Sequence, residues 1–117
     1  MTIHILGSII FGLYFIYNGF NHFKNEKAMT GYAKSKGVPS PRLAVLIGGA
    51  MLIIGGLGFV SGQNMGQSAT LLLIFLIPTT FMMHAFWKEK DPMHKMNETI
   101  AFTKNLALIG ALLMNVW

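Results

Sequence analysis

The sequence predicts an all-α integral membrane protein, a four-helix bundle of up-down topology with a short interfacial helix in the first loop. Of its 117 residues, 53% are hydrophobic and 11% are charged, whereas average globular domains carry roughly a quarter charged residues. The hydrophobic residues fall in four blocks, each long enough for the about 20 helical residues that cross a bilayer. We therefore expect residues 1–117 to form one transmembrane domain in contact with lipid.

The first helix is predicted at residues 3–23. No basic residue precedes its apolar stretch and no small-residue cleavage site follows it, so we expect this segment to be retained as a helix. In the loop that follows, Met29, Tyr32 and Ala33 share one helical side. This pattern is typical of a short interfacial helix, which Gly37 is expected to end.

The second helix is predicted at residues 41–60. Ser40 is the expected N-cap, and Pro41 suits the first helical position because its missing N–H would be unpaired there anyway. The helix is rich in glycine, and the four-residue spacing of Ala44 and Gly48 is typical of membrane helices that pack closely.

The third and fourth helices are predicted at residues 67–87 and 92–117. Pro78 lies inside the third helix, where it removes one backbone hydrogen bond. Asp91 is the expected N-cap of the fourth helix. Because the early turns of that helix, through Glu98, are too polar for lipid, we expect its membrane part to begin after them.

The basic residues define an orientation. All nine Lys and Arg residues lie in the first loop, the third loop or the adjoining helix ends. Because cytoplasmic loops carry an excess of Lys and Arg, we expect a multi-pass protein of the inner (cytoplasmic) membrane with both termini on the non-cytoplasmic side. The net charge of +5 then serves orientation, and nucleic acid is not an expected partner. With no cysteine, thiol-based redox chemistry is excluded.

Polar residues from three helices are expected to meet near the cytoplasmic boundary, judged from a helical rise of about 1.5 Å per residue. A lysine in the hydrocarbon costs about 2.5 to 3.5 kcal/mol, so Lys104 is expected to face the bundle interior. The alternative is that Lys104 extends to the interface and the amides only link helices. We favour a binding site, and the candidate set is Tyr14, Asn18, Asn21, His22, His84, Lys104 and Asn105.

Four segments resemble the DoxX family of small membrane proteins, in order and over nearly the whole chain. They are GFNHF at 19–23, YAKSKGVP at 32–39, FMMHAFW at 81–87 and KNLAL at 104–108. The resemblance implies a four-helix inner-membrane protein, in some relatives a small subunit of a thiosulfate-to-quinone oxidoreductase. Other relatives belong to oxidative-stress complexes or act as receptor-assembly factors. The family's recurrent polar residues correspond here to His22, His84, Lys104 and Asn105.

Our first hypothesis is a quinone-associated or redox-complex membrane subunit. A ring carbonyl would lie near His84 or His22, because histidine passes protons near neutral pH. Lys104 and Asn105 would donate hydrogen bonds, and Trp87 would line the pocket with aromatic neighbours. Haem ligation by the two histidines is the weaker hypothesis, since no third ligand accompanies them, and no metal site is expected.

Two alternatives stay open. The chain is a non-catalytic scaffold or assembly factor if its glycine-rich second helix and basic first loop dock a partner membrane protein. A lipid or small-molecule transporter is the other alternative. Since four helices enclose little volume, a transporter would need a homo-oligomer.

Overall fold

The computed structural model describes residues 2–116, which form an all-α bundle. Four long helices and one short helix follow one another along the chain, joined by short connections. They are α1 (Thr2–Lys24), α2 (Glu26–Ser35), α3 (Pro41–Ser61), α4 (Met65–Met83) and α5 (Pro92–Leu113), with a 3-10 turn at Phe86–Lys88 between the last two. The all-α fold and the short helix in the first loop are as predicted.

The short helix α2 ends as expected, but the start of α3 differs from the prediction. Gly37 has a φ of +81°, a left-handed conformation that glycine adopts without a Cβ penalty. Ser40 precedes Pro41 but makes no side-chain capping bond, because its backbone is itself left-handed at a φ of 46°. At α5 the capping prediction is confirmed, since Asp91 Oδ2 accepts a hydrogen bond from the backbone N–H of His94 at 3.0 Å.

Helix α4 ends earlier than the sequence suggested. It stops at Met83, and the backbone N–H of His84 closes the last turn on the Thr80 carbonyl at 3.2 Å. The chain then turns so that Phe86 and Trp87 pack edge-on against Phe102 of α5, with ring centroids 5.3 and 5.6 Å apart. His84 therefore lies at a helix end, where its side chain can reach α5.

Glycines on both helices set the contact between α1 and α3, the most extensive helix pair of the bundle. A Cβ at Gly12 would lie 2.5 Å from the Gly56 carbonyl oxygen, and a Cβ at Gly19 would lie 2.7 Å from that of Gly49. Gly12 and Gly19 are seven residues apart on α1, and Gly49 and Gly56 are seven residues apart on the antiparallel α3. The close packing predicted from small residues is therefore made by these two glycine pairs. Gly48, which the predicted four-residue spacing included, contacts the Phe75 ring of α4 instead.

Lipid-facing surface dominates the exterior of the bundle. Among residues 2–116, three helical segments are long and apolar enough to cross a membrane: Thr2–Lys24, Pro41–Ser61 and Met65–Lys88. Helix α5 does not join them because charged residues occupy its first half, although its second half is apolar. The chain is thus a multi-pass membrane protein with three to four candidate spans, and its orientation stays a prediction.

A compact core holds the long helices together beneath that surface. It is built from buried aromatic and aliphatic side chains. Among the buried polar residues, Thr80, Glu98 and Asn105 lie towards the end that carries the basic loops, and Ser68 lies at the opposite end. The cluster contains Phe15, Leu52, Phe59, Ala69, Leu72, Leu73, Leu76, Ile109 and Leu112.

Candidate functional site

A small polar cavity, partly open to the bundle surface, lies among α1, α3, α4 and α5. Its volume is about 120 Å³. The polar lining comprises Tyr14 and Asn18 of α1, Thr79 of α4, His84, and Lys104 and Asn105 of α5. Five of these residues belong to the candidate set. The structure therefore brings together most of the polar residues that depth along the helices had selected.

Lys104 and Asn105 enter this polar cavity in different ways. Lys104 is exposed on the bundle surface, and its Nζ lies 5.9 Å from the centroid of the Tyr14 ring, within the reach of a cation–π contact. Asn105 is buried, and its Nδ2 donates to Thr80 Oγ1 at 3.1 Å. Part of the polar set thus links helices, as the alternative interpretation held, and part lines open space.

His84 connects the polar cavity to a carboxylate that sequence reasoning overlooked. Its Nδ1 lies 3.0 Å from Oε1 of Glu98, and Glu98 is only 8% exposed. The other carboxylate oxygen, Oε2, accepts hydrogen bonds from Nζ of Lys36 and from the hydroxyl of Tyr32, both at 2.5 Å. Lys36 also pairs with Glu89 at 2.8 Å. We call Tyr32, Lys36, His84, Glu89 and Glu98 the Glu98 cluster.

Contacts within the Glu98 cluster shift the pKa values of Glu98 and Tyr32. Burial alone would raise the pKa of the Glu98 carboxyl, but hydrogen bonds from Lys36, Tyr32 and His84 outweigh it and lower the pKa to about 2. Burial and the hydrogen bond to Glu98 raise the pKa of the Tyr32 hydroxyl to about 12. Because an ionised carboxylate only accepts hydrogen bonds, Nδ1 of His84 must be the donor. In a neutral ring this leaves Nε2 as the proton acceptor.

The Glu98 cluster also borders a surface cavity of about 420 Å³. This cavity is polar and lies on the α2 side of Glu98, whereas the polar cavity lies on the far side of His84. Its lining residues are Tyr32, Ser35, Lys36, Glu89, His94, Asn97 and Glu98. The His84–Glu98 pair therefore lies between this surface cavity and the polar cavity.

Two members of the candidate set, His22 and Asn21, lie elsewhere, and so does Trp87, which was predicted to line the pocket. His22 bonds through Nδ1 to the Val45 carbonyl at 2.9 Å and lines a separate apolar cavity. Asn21 accepts a bond from Asn25 on the surface at 3.4 Å. Trp87 is 51% exposed and packs at the outer edge of α5. His22 and His84 thus line different cavities. Among residues 2–116, no group of three or more His, Cys, Asp or Glu side chains could hold a metal ion.

A pattern in the sequence could have revealed Glu98. The buried residues of α5 are Glu98, Asn105, Ile109 and Leu112, at intervals of seven, four and three residues. These intervals place them on one helical face, so Glu98 shares the inward face of Asn105. Tyr32 of α2 and Lys36, the C-cap residue of that helix, are four residues apart. The polarity of the early α5 turns had suggested exposure, but the carboxylate is buried because partners from two other segments neutralise it.

We expect the Glu98 cluster to make stability depend on pH. A carboxyl whose folded pKa is depressed stabilises the fold above its unfolded pKa and loses that contribution as pH falls. The window therefore runs from the ordinary value of 4.5 down to about 2. Melting temperatures of the detergent-solubilised protein should fall as pH drops through this window. Glu98→Gln should flatten that dependence, and an unchanged slope in Glu98→Gln would contradict the assignment.

Comparison with known proteins supports the membership that the sequence motifs suggested. The profile of the family described as DoxX matches residues 5–85, which span α1 to α4 and include His84. Glu98, Lys104 and Asn105 on α5 lie outside the matched region. No curated protein and no solved structure matches the chain significantly.

Proposed function

This chain belongs to the DoxX family, and we propose that it is a quinone-associated membrane protein whose polar cavity holds the oxygen-bearing end of a quinone ring. One observation carries the proposal: hydrogen-bonding side chains from three segments line a single cavity, and His84 among them is held by the ionised Glu98. Such convergence of polar groups beside apolar walls is typical of ligand sites.

The polar cavity offers the hydrogen bonds that a quinone oxygen accepts. Nζ of Lys104 is a donor, and each of the amides of Asn18 and Asn105 has one N–H left after donating to Tyr14 and Thr80. Phe15, Leu52 and Leu76 supply apolar walls for the ring faces.

His84 is the residue that we propose for proton transfer. Reduction of a quinone adds electrons and protons, and the electrons would come from a partner redox protein. Glu98 accepts from Nδ1 of His84 at 3.0 Å and so orients the ring and fixes its tautomer. Nε2 would then exchange a proton with the quinone oxygen. Glu98 acts here as a positioning residue, since its depressed pKa keeps it ionised.

The scaffold hypothesis loses one of its supports in this fold. It required the glycine-rich surface of α3 to dock another protein. Gly49 and Gly56 pack instead against α1, and Gly48 and Gly55 pack against α4. These glycines are buried within the chain itself, so they serve intramolecular packing.

Binding of menadione, a naphthoquinone without a prenyl chain, tests the proposal directly. We expect the protein in lipid nanodiscs to bind it, and His84→Ala to weaken binding by up to about tenfold, since a hydrogen bond between neutral groups contributes roughly 0.5 to 1.5 kcal/mol. His4→Ala is the matched control, because His4 is exposed on α1, and should leave binding unchanged. Absence of menadione binding, or equal affinity in His84→Ala, would contradict the proposal.

A further inference from the structure

The apolar cavity that His22 lines is a groove at the lipid-facing side of α3 and α4. Its volume is about 300 Å³. Aliphatic, methionine and glycine residues dominate its walls, and His22 and Thr79 are among its few polar members. Its lining residues include Ala44, Gly48, Met51, Phe75, Pro78 and Thr79. Because these helices are membrane spans, the groove opens towards lipid.

The apolar groove and the polar cavity share a wall. Phe75 and Thr79 line both, so a single side-chain layer separates the inner polar space from the outer apolar one. The Phe75 ring has its place because Gly48 has no side chain, since a Cβ there would overlap the ring. On its other side the ring meets His22 edge-on, with centroids 5.7 Å apart.

Volume argues that one ligand occupies both spaces. Ligand pockets for drug-sized molecules measure roughly 300–1,000 Å³, so the polar cavity at about 120 Å³ can hold only the polar end of a molecule. The remainder must lie outside this cavity, which is partly open where Lys104 reaches the bundle surface. Towards α2 the way is blocked by the charged Glu98 cluster, which would be costly to desolvate against an apolar chain. Towards α3 it leads past Phe75 into the apolar groove.

We propose that the apolar groove binds the prenyl chain of the same quinone whose ring lies in the polar cavity, and that Phe75 is the gate between head and tail sites. This proposal rests on the proposed function and adds the substrate class, a prenylated quinone rather than a free ring. Rotation of Phe75 about its side-chain bonds opens the wall without moving a helix. The methionines suit an irregular chain because their unbranched side chains adapt their shape.

Comparison of menadione with phylloquinone, which has the same ring and a prenyl-derived chain, tests this inference. We expect phylloquinone to bind at least about tenfold more tightly in nanodiscs of fixed composition. Met51→Trp fills the groove away from the polar cavity, so it should abolish the preference while menadione still binds. Leu13→Trp is the matched control, since Leu13 is a lipid-facing residue of α1 that is 51% exposed, and it should retain the preference.

The outcomes separate this inference from the proposed function. If menadione binds but phylloquinone has no advantage, or if the advantage survives Met51→Trp, the tail site is overturned and the head site stands. Ala44→Leu fills the same groove by a smaller change and replaces Met51→Trp if that variant does not fold. A phospholipid that native mass spectrometry finds retained, released by Met51→Trp but not by phylloquinone, would assign the groove to an acyl chain and also overturn the inference.

Discussion

Glu98→Gln is expected to destabilise the protein by on the order of 3 kcal/mol, because it removes the central charge of a buried cluster. The side chains of Glu98 and Lys36 are only 10% and 15% exposed. Hydration of Lys36 can therefore compensate for little of the ion pair that the substitution removes. Lys36 keeps its contact with Glu89 at 2.8 Å, which places the effect at the lower end of the range for broken buried pairs. Unfolding in detergent, followed by circular dichroism, measures the change.

A surface ion pair within the same chain provides the control for this prediction. Glu26 lies 3.5 Å from Arg42, whose side chain is 70% exposed. Exposed pairs contribute about 0 to 1 kcal/mol, so Glu26→Gln should change the free energy of unfolding far less than Glu98→Gln. Equal effects of the two substitutions would show that Glu98 is not the electrostatic centre of the fold.

Gly12→Ala is expected to be the second most damaging change, at about 1 to 3 kcal/mol, the usual cost of overpacking a core. The new Cβ would lie 2.5 Å from the Gly56 carbonyl oxygen and 2.9 Å from the backbone nitrogen of Val60. Backbone atoms cannot rotate away as a flexible side chain does, so α1 and α3 must separate and lose contacts along their length.

Gly7→Ala on the same helix isolates the packing effect. A Cβ at Gly7 would meet nothing within 4 Å, and alanine favours a helix over glycine by roughly 1 kcal/mol. Gly7→Ala should therefore be neutral or stabilising. Gly12→Ala with the same unfolding midpoint as Gly7→Ala would be inconsistent with the close approach of α1 and α3.

Local sequence pattern predicted the helices well and their ends less well. Hydrophobic blocks predict the spans because lipid supplies no water to hydrogen-bond backbone groups. A helix pairs those groups within one segment, so an apolar block of sufficient length crosses the membrane as a helix. Helix ends depend on contacts that are distant in sequence. Helix α4 ends at Met83 because Phe86 and Trp87 turn away to pack against Phe102. The residues next to Met83 contain no helix-ending signal that would have predicted this.

The candidate site was predictable only in part, because a sequence gives the depth of a residue along its helix but not the direction of its side chain around the bundle. Tyr14, Asn18, His84, Lys104 and Asn105 could be selected because depth along a helix follows from counting residues. The azimuth of a side chain around the bundle does not follow from depth. His22 lies at a similar depth, yet it faces the apolar groove because its Nδ1 bonds to the Val45 carbonyl.

By itself the sequence determined that this protein is a helical membrane protein of the DoxX family, since hydropathy and motif order are properties of the linear chain. Tertiary structure decided which polar groups meet. Glu98 looks like an exposed charge on a polar helix start, and only the approach of Lys36, Tyr32 and His84 makes its burial tolerable. A buried charge is stable only with partners, and in this chain those partners are brought together by the fold.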